Sequence, residues 1–214
     1  MSYSQLYVLD KNLKPAYIEE FQNSWLFPIP IFGYLVNKYA SEEEKERARV
    51  FNKGFSGFNP DKPINPVTHF MFDAENLRFK AINNAINKSS SITDRIGWEL
   101  VNQQMFYSKH KDLIVKAIKE LQQLSEGDEE RFEAVANEIS TIDIEQHPFF
   151  IFKNNTIDDG VEKYFRFYNE ESNEEETKSL HEYKGKICFD LVVIENGKMS
   201  FVEPLQGGKN GKQN

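Results

Sequence analysis

The sequence predicts an α+β protein: a mainly antiparallel sheet built on a C-terminal β-hairpin, with amphipathic helices packed against it. Three observations carry that class. Between Lys186 and Glu203 two apolar runs flank Asn196-Gly197, the strongest short-range hairpin signal, because both residues tolerate the positive φ of a type I′ turn. Upstream, Ile114, Ala117, Leu121 and Leu124, and then Phe132, Val135, Ala136 and Ile139, recur at helical spacing. Helix and strand signals alternate irregularly along the chain, as α+β proteins do.

Taken in order, Gln5 to Leu9 reads as a short strand. Lys14-Pro15 suits a first helical turn, and Ile18, Phe21 and Trp25 at i, i+3 and i+7 give the segment after it one apolar helical face. Pro28 and Pro30 interrupt that helix, each removing a donor, and a second segment resumes from Ile31 to Tyr39. Ser41-Glu42-Glu43-Glu44 is a capping-box pattern opening a charged helix that buries Ala48 and Phe51. Lys53 to Pro66 is punctuated by Gly and Pro and forms a long loop, whose Phe55 and Phe58 are either pins to the core or an exposed recognition edge. Thr68 to Phe72 and Leu77 to Ile82 read as strands.

Ser91 caps a helix holding Ile92, Ile96 and Leu100 on one face, with Asp94 at its third position. Met105 to Tyr107 is a short strand, and Ser108 starts a helix that Gly127 stops. A further helix carries Phe132 to Ile139. Strands follow at Phe149 to Lys153 and Val161 to Tyr168. The acidic run between Tyr168 and Leu180 has almost nothing to bury and is expected as a solvated loop. In the final hairpin a two-residue loop fixes the register: Glu195 faces Lys198, Ile194 faces Met199, Val192 faces Phe201 and Leu191 faces Val202. Both faces are apolar, which predicts an interior ribbon. No linker divides the chain, so residues 1–204 are expected as a single domain and 205–214 as a flexible tail.

Composition bounds the function. The chain has 214 residues, 39% of them hydrophobic, enough to bury roughly 70% of its unfolded surface. Cys188 is the only cysteine, so no internal disulfide can form and a reducing cytoplasm is the expected location. No apolar stretch is long enough to cross a membrane and the N-terminus has no basic n-region. Between Glu126 and Glu176 stand 16 acidic and 4 basic residues, a net of −12 in a chain whose total is −8, leaving the remainder net positive by 4. If these acids share one surface, they disfavour nucleic acid and favour a basic partner or a cation.

No motif decides the chemistry. There is no Walker loop, no Gly-x-Gly-x-x-Gly and no Gly-x-Ser-x-Gly elbow, since Gly57 follows Ser56 one residue too soon. The histidines at 69, 110, 147 and 181 are dispersed, with only His69 and Asp73 placed to share a strand face. Cys188 reads as a mid-strand residue beside Asp190, whose carboxylate opposes thiolate formation. Extended by one pair, the hairpin register sets Asp190 opposite Glu203, and directly opposed like charges need compensation. A cation, a basic side chain from another element or fraying at Pro204 would supply it, so Asp190 and Glu203 are the candidate metal ligands.

The leading expectation is a non-catalytic cytosolic protein that docks on a basic protein surface, with no cofactor and no direct nucleic-acid contact. Acidic inhibitors of the immunity or anti-defence type work by such steering. The candidate contact residues are Glu129, Glu130, Glu133, Asp158, Asp159, Glu170, Glu171, Glu174, Glu175 and Glu176, together with Phe55 and Phe58. The alternative is a divalent-metal-dependent hydrolase of phosphodiesters, in which Asp190, Glu203 and Glu182 hold the ion and Lys184 stabilises charge at the scissile phosphate. A structural subunit that uses the Phe55 and Phe58 loop as its contact is the third.

Overall fold

Asp10 sets the first strand pairing. Its Oδ1 accepts from the backbone N–H groups of Asn12 (2.8 Å) and Lys14 (3.0 Å), and Leu13 adopts φ 56° to complete the reversal. Tyr3–Leu9 (β1) and Pro15–Gln22 (β2) are thereby joined as an antiparallel pair. The computed structural model describes residues 3–23, 26–43, 77–154 and 162–207. The segment after Pro15 is therefore a strand where the spacing predicted a helix. Ile18 and Phe21, three apart, fall on opposite faces of β2 and pack in different clusters, so the spacing that mimics a helical face serves both sides of a strand. Pro15 costs nothing at the first position of an edge strand.

Pro28–Tyr39 (α1) starts at the prolines that were expected to interrupt it. Both lie in the first turn, where backbone N–H groups have no intrahelical partner to lose. The expected helix from Ser41 to Phe51, the loop holding Phe55 and Phe58, the strand Thr68 to Phe72, and His69 all lie wholly or largely outside the described residues. Leu77–Lys88 (α2) replaces the strand expected from Leu77 to Ile82, because Ile82 and Ile86 form an i, i+4 apolar pair that is buried. Ile92–Val101 (α3) is capped as expected, with Ser91 accepting from the Asp94 N–H. Close packing follows from Gly97, where a Cβ would lie 2.8 Å from Leu121 Cδ1 and 3.1 Å from Ile31 Cγ2.

Met105–Tyr107 (β3) leads through a short 3₁₀ turn at Ser108–His110 into Lys111–Ser125 (α4). That helix closes on Glu126 in the left-handed region, one residue before the expected Gly127. Its buried stripe is Ile114, Ala117, Ile118 and Leu121, while Leu124 is exposed. Glu129–Thr141 (α5) buries Phe132, Val135, Ala136 and Ile139 as expected. Phe149–Asn154 (β4) follows. Glu162–Phe165 is a helical turn and not the start of a strand, which lets the adjacent Tyr164 and Phe165 bury in one cluster. Arg166–Asn169 (β5) and Glu174–Thr177 (β6) then pair antiparallel, so the acidic run is a hairpin where a loop was expected. Side chains hold it: Arg166 Nη1 donates to Glu175 (3.1 Å) and Asn169 Nδ2 to Glu176 (2.6 Å). Leu191–Glu195 (β7) and Lys198–Val202 (β8) close at Asn196 and Gly197, with φ 51° and 72°, in the register counted from the sequence.

The main sheet runs β2-β1-β4-β3-β7-β8, antiparallel throughout except for the parallel pair β3 and β7. The fold is α+β. Residue parity divides the sheet into two faces. Leu6, Val8, Phe106, Phe150, Phe152, Val192 and Ile194 meet helices α1 to α5 in the larger cluster. Tyr7, Leu9, Met105, Phe149, Ile151 and Leu191 meet Leu13, Tyr164, Phe165, Leu180 and Phe189 in the smaller one on the other side. The C-terminal ribbon is only half interior: β7 is buried, but β8 is an edge strand and mostly exposed. After it, Pro204–Gly207 makes a helical turn and Leu205 packs on the smaller cluster.

One buried charge ties the helices together. Asp94 is fully buried, and its carboxylate accepts from Lys38 Nζ (2.7 Å), Tyr39 Oη (2.6 Å) and Tyr34 Oη (3.2 Å), all on α1. Burial works against the charge of Lys38, but the hydrogen bonds from Asp94 and Tyr34 hold its pKa above the usual lysine value. Asp94→Ala should therefore destabilise the protein by on the order of 2–4 kcal/mol, measured by urea unfolding, because three side-chain donors on α1 lose their acceptor together.

Candidate functional site

Helix α2 presents Lys80, Asn83 and Asn87 at i, i+3 and i+7, a polar face opposite its buried Ile82 and Ile86. This face and the C-terminal half of α3 form a groove of about 590 Å³. Trp98, Glu99 and Asn102 line it from α3, Gln104 from the following turn, Cys188 and Asp190 from the approach to β7, and Phe201 from β8. A volume of this size suits an organic molecule.

Hydrogen bonding fixes much of the lining. The indole N–H of Trp98 can only donate, and it lies 2.7 Å from Asn83 Oδ1, which settles the Asn83 amide. Asn87 then turns its Nδ2 to the same oxygen (3.2 Å), leaving Asn87 Oδ1 buried with no partner among the described residues. Across the groove, Gln104 Nε2 donates to the Asn102 carbonyl (3.1 Å) and Gln104 Oε1 accepts from the Asp190 N–H (2.5 Å). The Asp190 carbonyl accepts from the Met105 N–H (2.9 Å) where parallel pairing of β3 and β7 begins. Asp190 is thus pinned by its backbone on both sides while its side chain stays exposed.

Glu99 is the anomaly of the site. It is 4% exposed, yet it makes no hydrogen bond and no ion pair with any described residue. Burial, opposed by the charge of Arg95 and reinforced by that of Asp190, pushes its carboxyl up to about 8. Arg95, one turn earlier, sends its Nη2 to the Met199 carbonyl (3.1 Å) and leaves its Nε buried without a partner among the described residues. On the rim, the Cys188 N–H donates to Tyr164 Oη (3.1 Å), and burial together with the Cys188 contact pushes the Tyr164 phenol up to about 12.

The residues singled out from sequence are dispersed over the molecule. Asp190 and Glu203 do not face each other in a ladder, because pairing ends at Leu191 and Val202 and the chain turns away at Pro204. Cys188 precedes β7 and is not in a strand. Of Asp190, Glu203, Glu182 and Lys184, only Asp190 lines the groove. Glu182 instead accepts from the Ser179 N–H (2.8 Å) as half of a capping box. Among the described residues no group of three His, Cys, Asp or Glu side chains is placed to hold a metal ion. Glu129, Glu130 and Glu133 are exposed on α5, in the helical layer, and Glu129 and Glu130 occupy its first turn, where the helix dipole favours acids. Glu170, Glu171, Glu174, Glu175 and Glu176 belong to the β5–β6 hairpin, on the opposite face of the sheet. The acids are therefore split between two layers; Asp158, Asp159, Phe55 and Phe58 lie outside the described residues.

The sequence held a signal for Glu99 that the apolar spacing concealed. Ile92, Ile96 and Glu99 stand at i, i+4 and i+7, so a carboxylate occupies the third place of a buried stripe. No family model, curated protein or solved structure matches the chain.

The raised Glu99 pKa fixes the sign of a pH effect. Because the folded state holds the proton more tightly than the unfolded chain, the Glu99 contribution is intact below about pH 4.5 and is lost as pH rises through about 8. Glu99→Gln, which cannot ionise, should be near neutral for stability at about pH 4 and should stabilise by roughly 2–4 kcal/mol at about pH 9 relative to the parent protein. Paired thermal or denaturant unfolding curves at the two pH values check it.

Proposed function

We propose that this protein binds a small polar organic molecule in the groove between α2, α3 and the β7–β8 end of the sheet. The observation that carries the reading is the convergence of four amide side chains, Asn83, Asn87, Asn102 and Gln104, with two carboxyl groups and two aromatic rings on one concavity. Amides offer both donors and acceptors, and aromatic rings supply flat contact area, which is the lining of a site that orients a polar ligand. The test is retention of small molecules from a cell extract by the full-length protein, released by denaturation and read by mass spectrometry. Retention should be lost in Asn102→Trp, which fills the groove. Equal retention by both proteins would overturn the reading.

A second reading is docking on a basic protein partner, as an inhibitor of the immunity or anti-defence type would do. What favours it is the β5–β6 hairpin, where Phe167 (40% exposed) pairs with Glu176 and Tyr168 (57% exposed) with Glu175. Exposed aromatics ringed by charge are suited to protein contacts. On this reading the association rate with a cognate partner falls steeply with salt and falls further in a Glu170→Lys, Glu171→Lys, Glu174→Lys variant. A rate unchanged by salt would count against it. The lone cysteine fits a reducing compartment under either reading.

A further inference from the structure

We infer that the groove takes an organic cation, a molecule bearing a primary ammonium or guanidinium group, and that Glu99 and Asp190 are the residues that hold it. The inference rests on the groove being a small-molecule site and names the chemistry of its ligand. The buried groups at the groove that no described residue partners are acceptors. Glu99 is almost fully buried and bonded to no described residue, and Asn87 Oδ1 is left as an acceptor without a described partner by the chain of donors that starts at Trp98. Once ionised, the buried Glu99 carboxylate lacks a donor among the described residues, a cost in free energy that a positively charged donor would relieve. Asp190 adds a second carboxylate at the rim, held in place through its backbone. Phe201 supplies an aromatic wall of the kind that favours cations.

The alternatives fit less well. A bare metal ion needs several oxygen ligands at short range, and no cluster of three acidic, His or Cys side chains exists among the described residues. An anion would have Lys80, exposed on α2, to meet it, but would face Glu99 and Asp190. Arg95 does not line the groove, and its Nη2 is committed to Met199. Among the described residues the charged groups around Glu99 are thus Arg95 on its own helix, Lys80 on α2 and Asp190 before β7. With its proton held tightly in the empty groove, Glu99 must lose it to pair with a cation, so binding and proton release are coupled.

The experiment is calorimetric titration of the full-length protein with agmatine and putrescine as cations, acetate and inorganic phosphate as anions, and urea and glucose as neutral probes. We expect the cations to bind, more tightly at about pH 8 than at about pH 6, with an enthalpy at about pH 6 that varies with the ionisation heat of the buffer because Glu99 releases its proton there. Glu99→Gln should abolish the buffer dependence and weaken binding roughly tenfold or more, and Asp190→Asn should weaken it while leaving the proton release in place. Cation binding that is insensitive to Glu99→Gln, or tighter at low pH, overturns the inference. Anions or neutral probes binding in a manner sensitive to Asn102→Trp, with no cation binding, would overturn the cation and keep the groove. No binding by any probe, with no retention from extracts, would overturn both.

Discussion

The Asp94 carboxylate is a charge taken wholly out of water, and the arrangement of the helices around it is what makes that affordable. Three donors from α1 converge on it, while its own N–H is held by Ser91 at the start of α3. A buried carboxylate left short of these partners would cost several kcal/mol, so α1 and α3 are constrained to approach at one place and in one rotation. Gly97 permits the closeness, and the orientation that results turns the next carboxylate on α3 toward the groove.

Asp94 and Glu99 make an instructive pair. They sit five residues apart on one helix, both buried, and the protein treats them oppositely. Asp94 is saturated with donors and acts as a fastener. Glu99 has burial without a donor among the described residues, and its proton affinity rises in consequence. Stability alone would favour replacing such a group with an apolar one, so its presence on the wall of a concavity is the strongest local reason to read that concavity as a site.

The sheet supplies the other half of the groove. Antiparallel pairing from β2 through β3 gives way to the parallel pair β3 and β7, and at that switch the backbone of Asp190 is shared between Gln104 and Met105. The groove wall is thus anchored to strands buried on both faces. The acidic residues have no such common seat. On α5, Glu129 and Glu130 serve the start of a helix, and in the β5–β6 hairpin Glu175 and Glu176 bond locally to Arg166 and Asn169 on the other layer.

By itself the sequence determined what depends on neighbours in the chain. The Asn196-Gly197 turn and its register, the Ser91 cap and the stripe from Phe132 to Ile139 follow from local sterics and hydrogen bonding, and all stand as read. Tertiary structure decided what local pattern leaves degenerate. Ile18 and Phe21 fit a helical face and the two sides of a strand equally well, and only pairing with β1 selects the strand. A short apolar run at Leu77 to Ile82 suits strand or helix until α1 and α3 provide a surface for Ile82 and Ile86. The groove lay beyond local reading because its residues come from four separate segments. The clue at Glu99, a charge on an apolar stripe, gains meaning only when packing removes its water and supplies no donor in return.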